Sequence, residues 1–192
     1  MPLPVACIVE GDGEVPALPI LIRRLVASIN PATYIDVQRP ARHSKSKLLR
    51  AGGIEDAVDL AIRGLPELGA VLIVIDSDDD CPKETAPQLL ARAERKAAKR
   101  RHVSLVLANR EFESWFIAAA ESIKPGLAAP DSPESIRGAK EWLSKNAFAY
   151  SPTIDQPSLA SQFDLDAARR HAPSFDKLYR EIEHFCHLAA AT

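Results

Sequence analysis

The chain has 192 residues, 46% of them hydrophobic and 26% charged, and its 24 basic and 26 acidic side chains leave a formal charge of −2. Values this ordinary exclude a disordered chain, a collagen-like repeat and a disulfide-stapled miniprotein, and they predict one folded domain. A domain of this length buries roughly 70% of the surface its unfolded form exposes, so it needs no metal merely to stay folded.

Val5 to Val9 is a compact apolar segment running into Glu10-Gly11-Asp12-Gly13, the pattern of a buried strand entering a turn. Leu18, Leu21, Ile22, Leu25 and Ile29 then recur at helical spacing. A weaker strand covers Tyr34 to Gln38, and a helix carrying Ile54, Val58 and Ile62 follows the glycines at 52 and 53. Val71 to Ile75 is continuous and β-branched, and it stops at the acidic run Asp76-Ser77-Asp78-Asp79-Asp80. An alanine- and arginine-rich helix is expected from about Thr85 to Arg101, a fourth strand over Val103 to Leu107, and a helix from Glu111 to Ala120 capped by Asn109. Continuous apolar strands separated by helices predict a mostly parallel sheet of about four strands, covered on both faces. Beyond Ser122 proline and serine punctuate short helical pieces at 134–145, 164–171 and 174–190, with Pro152, Pro157 and Pro173 as joints. The expected division is an α/β domain over 1–121 and a helical C-terminal extension, 122–192, packed on it as one structural unit.

Three cysteines, Cys7, Cys81 and Cys186, are an odd number without C-x-x-C spacing, which fits a reducing compartment. Apolar runs such as Ala70 to Ile75 fall far short of a membrane span, and Glu10 interrupts the N-terminal apolar stretch too early for a signal peptide. The expectation is a cytoplasmic protein with no membrane partner.

The near-neutral sum conceals an uneven distribution of charge. Residues 39 to 50 carry Arg39, Arg42, Lys45, Lys47 and Arg50 with no acid among them, and residues 92 to 101 carry six bases against Glu94 alone. The first stretch reads as a phosphate-binding loop; the second has the composition of a solvated helix. In open α/β sheets ligands gather at the carboxyl ends of the strands, and three strands here lead to acids: Glu10, then Asp76 and Asp78, then Glu111 and Glu113. If strand geometry persists past Ile75, Asp76 and Asp78 share a face and satisfy part of the octahedral oxygen shell that magnesium requires. Glu14 joins Glu10 if the intervening turn curls like a helix start, and Glu113 is a further ligand or water-positioning group. Burying such acids together without a cation would cost several kcal/mol per ion, roughly.

Other motifs fail on their letters. Gly11-Asp-Gly13-Glu-Val-Pro16 has proline where a dinucleotide fingerprint needs its third glycine. Asp76, Asp78 and Asp80 mimic the start of a calcium loop, but Cys81 stands where glycine is needed and Pro87 where the bidentate glutamate belongs. The Asp-x-Asp pair of an aspartyl-nucleophile phosphatase normally follows a domain's first strand, so that reading is a weak alternative. His184, Cys186 and His187 lack a spaced partner pair and read as a terminal helix touching the core; His43 reads as exposed, and Trp115 and Phe116 as core anchors.

Val9-Glu10-Gly-Asp-Gly-Glu14 before an amphipathic helix, with Val-Ile-Asp76-Ser-Asp78 after an apolar strand, resembles the Toprim domain of topoisomerases, bacterial primases and overcoming-lysogenization-defect (OLD) nucleases. Over nearly the whole chain the sequence resembles the Toprim-like domain-of-unknown-function family 4276. Glu111-Phe-Glu113-Ser-Trp115 is similar to that family's acidic-Trp motif, and Ile154-Asp155-Gln156-Pro157, Ala167-Ala168-Arg169-Arg170 and Ser174-Phe175 are similar to its C-terminal signature. The resemblance implies a Toprim-like sheet, with Glu10 as general acid/base and Glu14 paired to it, and Asp76 and Asp78 as ligands of Mg2+ or Mn2+. Glu113 and Glu111 are added as candidate ligands, and Arg39, Arg42, Lys45 and Lys47 as contacts to nucleic acid. It implies metal-dependent phosphodiester hydrolysis of DNA or RNA, or else a non-catalytic subunit that binds metal or phosphate and acts with a partner ATPase.

Overall fold

The structure, a computed structural model, describes residues 2–97 and 101–191. Five parallel strands form one sheet: β1 (Leu3–Val9), β2 (Ile35–Val37), β3 (Ala41–Arg42), β4 (Ala70–Asp76) and β5 (His102–Ala108). β1 and β4 lie in the middle, β5 is one edge, and β2 and β3 succeed one another along the other side of β1. β2 pairs Leu3 to Val5, and β3 pairs Ile8 and Val9. Pro40 falls between them; with no N–H it cannot continue the ladder. The fifth strand therefore arises inside the basic stretch that its composition predicts to be a loop, and a short helix, α2 (Lys45–Leu49), follows at once.

All seven residues of β4 are buried, as a strand covered on both faces requires. Alternation decides which core each side chain enters. Val5, Cys7, Val9, Leu72, Val74 and Val106 pack on one face with α1 (Glu14–Ile29), whereas Ala6, Ile8, Val71, Ile73, Ile75 and Leu105 pack on the other with α3 (Gly53–Arg63) and α4 (Pro82–Ala97). The α4 helix is described as far as Ala97; the expected continuation towards Arg101 falls on residues 98–100, outside the described residues. Two of its basic side chains hold it in place. Arg92 forks onto Glu55 at 2.7 Å and Lys96 pairs with Asp59; just before β5, Arg101 donates to the carbonyls of Leu65 and Pro66.

After β5 the expected helix from Glu111 begins later. α5 (Ser114–Ala118) and α6 (Ala120–Ile123) are preceded by a turn in which Arg110 has φ +67°. Asn109 does not cap it; its amide donates to Glu134 at 3.3 Å. A 3-10 turn at Pro133–Ser135 and α7 (Ala139–Asn146) replace the single helix expected over 134–145, because Gly138 at φ +69° separates them. α8 (Pro152–Gln162) was not expected. Pro152 is its first residue, where the missing N–H is harmless, and Pro157 lies inside it, not at a joint. The lost interior bond is offset by packing of Leu159 and Ala160 into the α1 core. α9 (Leu165–His171) is capped by Asp164, whose carboxylate accepts from Ala167 N at 2.9 Å, and α10 (Pro173–Ala190) runs back beneath the sheet. Phe163, Phe175, Leu178, Ile182 and Phe185 share the core of the α1 face with Phe112, Trp115 and Phe116. No described helix is long and apolar enough to cross a membrane.

Candidate functional site

The carboxyl ends of β1, β4 and β5 place their acids side by side. Glu10 leaves β1 half-buried; α1 starts four residues later, and the Glu14 carboxylate folds back to accept the Glu10 N–H at 3.0 Å. That reach fixes the turn and buries Glu14 (4% exposed). Gly13 is glycine because α8 crosses there: a Cβ would stand 2.2 Å from Gln156 Oε1 and 2.6 Å from the Pro152 carbonyl. Gly13 is thus a packing device, in keeping with the failure of the segment as a cofactor fingerprint.

Asp76 ends β4, buried, and accepts Phe112 N–H at 2.8 Å. Strand geometry does not persist past it. Asp78 has φ +50°, its N–H bonds the Arg110 carbonyl at 2.9 Å, and Arg110 N–H bonds Ser77 Oγ at 2.9 Å. Each of these two left-handed residues costs about 1 kcal/mol or more, and the two turns hold each other. Asp76 and Asp78 therefore diverge. Asp76 points inward, whereas exposed Asp78 pairs with Lys45 Nζ at 2.9 Å, as Asp80 also does.

Glu113, just before α5, joins Asp76 instead. It is fully buried; Oε1 accepts from Tyr150 OH at 2.9 Å and Gln156 Nε2 at 3.2 Å. Its Oε2 has no hydrogen-bond donor and faces Lys140 Nζ at 3.5 Å. Glu10 Oε2 is likewise buried without a donor. Glu111 lies outside this group, held by Lys140 at 3.0 Å and by Ala139 N–H at 2.9 Å.

Burial raises the pKa of all four inner acids, and neighbouring carboxylates add to it. Asp76 is pushed well above the usual carboxylate range by burial and then by Glu14 and Glu113; Glu14 is pushed up to about 7 by burial, with Glu113 and Glu10 adding to it. Burial also lifts Glu113 and, with Asp78 adding, Glu10. Lys140 moves the other way from a typical buried amine: Glu113, Glu111 and Asp76 outweigh its desolvation and raise its pKa.

The donor set suits a hard divalent cation, being all carboxylate oxygen with two buried oxygens unpartnered. Among the described residues, however, no three His, Cys, Asp or Glu side chains are already gathered as a metal-binding group. Lysines take part of the counter-charge instead. Of the basic candidates, Lys45 turns into the mouth of the site, Arg42 pairs with Asp12 at 3.1 Å, and Arg39 and Lys47 are exposed and form no ion pair among the described residues.

His43 is half-buried, not exposed, with Nδ1 unpartnered. Trp115 and Phe116 are fully buried core residues, and the Trp115 indole donates to Ser174 Oγ at 2.8 Å. Cys186 is buried in the core and His184 lies against His102, ring centroids 4.4 Å apart.

Lys140, Tyr150, Gln156, Arg110 and Arg137 are the site-lining residues that sequence reasoning missed. Gln156 alone carried a signal, standing inside the C-terminal motif Ile154-Asp155-Gln156-Pro157. No curated protein and no solved structure gives a significant match. A family model does match, over residues 9–183, which span every element from the end of β1 into α10 and so every acid of the site, and the chain belongs to the family described as Domain of unknown function (DUF4276).

Proposed function

We propose that this protein is a cytoplasmic, divalent-metal-dependent phosphodiesterase of Toprim type acting on nucleic acid. The supporting observation is the gathering of half-buried Glu10 with buried Glu14, Asp76 and Glu113 at the ends of three neighbouring parallel strands, with two carboxylate oxygens lacking a donor among the described residues. A cation would relieve the repulsion among these acids, which otherwise hold protons or lean on Lys140. Glu10, Asp76 and Glu113 are the residues that would hold Mg2+ or Mn2+, with Glu14 bracing the Glu10 backbone. When bound, such an ion supplies charge neutralisation at a phosphate oxygen and a more acidic water. The chain's own residues would do the rest. Glu10, half-buried where the other three are buried and with a raised pKa, would accept or return a proton; Tyr150 and Gln156 fix Glu113; Lys45 keeps Asp78 at the rim.

The isolated protein is expected to cut plasmid DNA or RNA in manganese or magnesium, and Asp76→Asn and Glu10→Gln to lose at least about a hundredfold in rate. Cutting that survives both substitutions overturns the proposal. The engagement of Asp78 by Lys45 and of Glu111 by Lys140 favours a second reading, a subunit completed by a partner ATPase. Manganese binding by calorimetry without cleavage of any nucleic acid would select it.

A further inference from the structure

Next to the carboxylates lies a concavity of about 170 Å3, lined by Asp78, Asp79, Arg110, Glu111, Arg137 and Gly138. Two guanidinium groups from distant parts of the chain converge there on one carboxylate. Arg110, from the turn after β5, contacts Asp79 Oδ1 and donates to the Asp78 carbonyl at 2.9 Å. Arg137, before α7, reaches the two Asp79 oxygens at 2.8 and 2.9 Å. Both arginines beside the Asp79 carboxylate hold its pKa below the usual range.

The arrangement is costly for what it achieves structurally. Asp79 and Arg137 are 65% and 70% exposed, so their pairing adds little to stability. Arg110 meanwhile occupies a left-handed conformation that disfavours any side chain. Nothing in the core requires these three groups to meet. A guanidinium pair recognises a carboxylate and a phosphate by the same fork of N–H donors.

We infer that Arg110 and Arg137 form a phosphate grip for a nucleic-acid strand, and that Asp79 occupies the place of the phosphodiester in the free protein. The grip rests on the phosphodiesterase reading for its ligand class: it would hold a phosphate one step along the strand from the carboxylates. Asp79 then acts as an internal competitor, so that only a polyanion able to displace it engages both arginines.

The test is fluorescence anisotropy of a labelled single-stranded oligonucleotide with the full chain in EDTA, where no cutting intervenes. Asp79→Asn is expected to tighten binding about threefold, because the competitor loses its charge. Arg137→Gln and Arg110→Gly are each expected to weaken it about tenfold, and to lower the slope of log affinity against log salt by about 0.7. Glycine suits φ +67°, so the second variant removes the guanidinium without disturbing the turn. Asp36→Asn, at the opposite end of the sheet beside Pro4, controls for net charge.

The inference is overturned if the wild type does not bind the oligonucleotide, if Asp79→Asn binds no tighter than Asp36→Asn, or if the arginine variants bind as the wild type does. Binding through the pair by a protein that cuts nothing in manganese sinks the hydrolase reading alone. Cutting by a protein whose arginine variants bind normally sinks the grip alone.

Discussion

Glu113 has no exposed surface, and among the described residues the cation paired with its unpartnered oxygen is Lys140, 3.5 Å away and itself 40% exposed at its side chain. An uncompensated buried carboxylate is expensive, so Lys140→Met is expected to lower stability by about 1–2 kcal/mol in EDTA, discounted for the solvent that already reaches the lysine. Manganese should then raise the Tm of the variant more than that of the wild type, because an ion takes over the charge Lys140 supplied. Differential scanning calorimetry with and without manganese measures both; an unchanged Tm in EDTA would mean that Glu113 does not depend on this lysine. At this scale the sequence was legible in part. Glu10, Glu14, Asp76 and Glu113 were identified as acids at strand ends, but the pairing of Asp76 with Asp78 rested on strand geometry that Asp78, at φ +50°, does not keep.

Among the elements, α8 has the largest hidden role. Its proline content disguised it in the sequence, yet it carries Gln156 to Glu113 and packs directly on the β1–α1 turn. Gly13→Ala inserts a methyl 2.2 Å from Gln156 Oε1, which must push α8 away. The expected cost is about 3 kcal/mol, read by urea denaturation. Loss of the Gln156 contact should also reduce any cleavage, whereas a variant as stable as the wild type would show that α8 does not press on the turn. The strands were easier to anticipate than the helices. A fully buried parallel strand such as β4 must be continuously apolar, while α8, short and proline-started, is held mainly by tertiary contacts; α9 and α10, in contrast, lie close to the expected 164–171 and 174–190.

For the whole molecule, the buried acids set an unusual dependence on pH. Glu14 rises from 4.5 to about 7 on folding, so the folded protein keeps a proton that the unfolded chain releases between those values. Its stabilising contribution is present below about pH 4.5 and is lost as pH approaches 7, by up to about 3 kcal/mol. The raised pKa values of Asp76 and Glu113 act in the same direction. Urea midpoints of the metal-free protein should fall over this window, and saturating manganese should flatten the decline; a midpoint constant from pH 4.5 to 7 would contradict the shared burial. The sequence by itself determined the α/β class, the central strands and the gathering of acids at their carboxyl ends, because continuous apolar runs and strand-end positions are local properties. Only the tertiary structure decided that Glu113, not Asp78, stands with Asp76, that Lys140, Tyr150 and Gln156 close the site, and that Arg110 and Arg137 meet on Asp79. Those choices depend on backbone angles just past a strand and on contacts between segments 32 to 58 residues apart in the chain, where packing, not periodicity, sets which side chains touch.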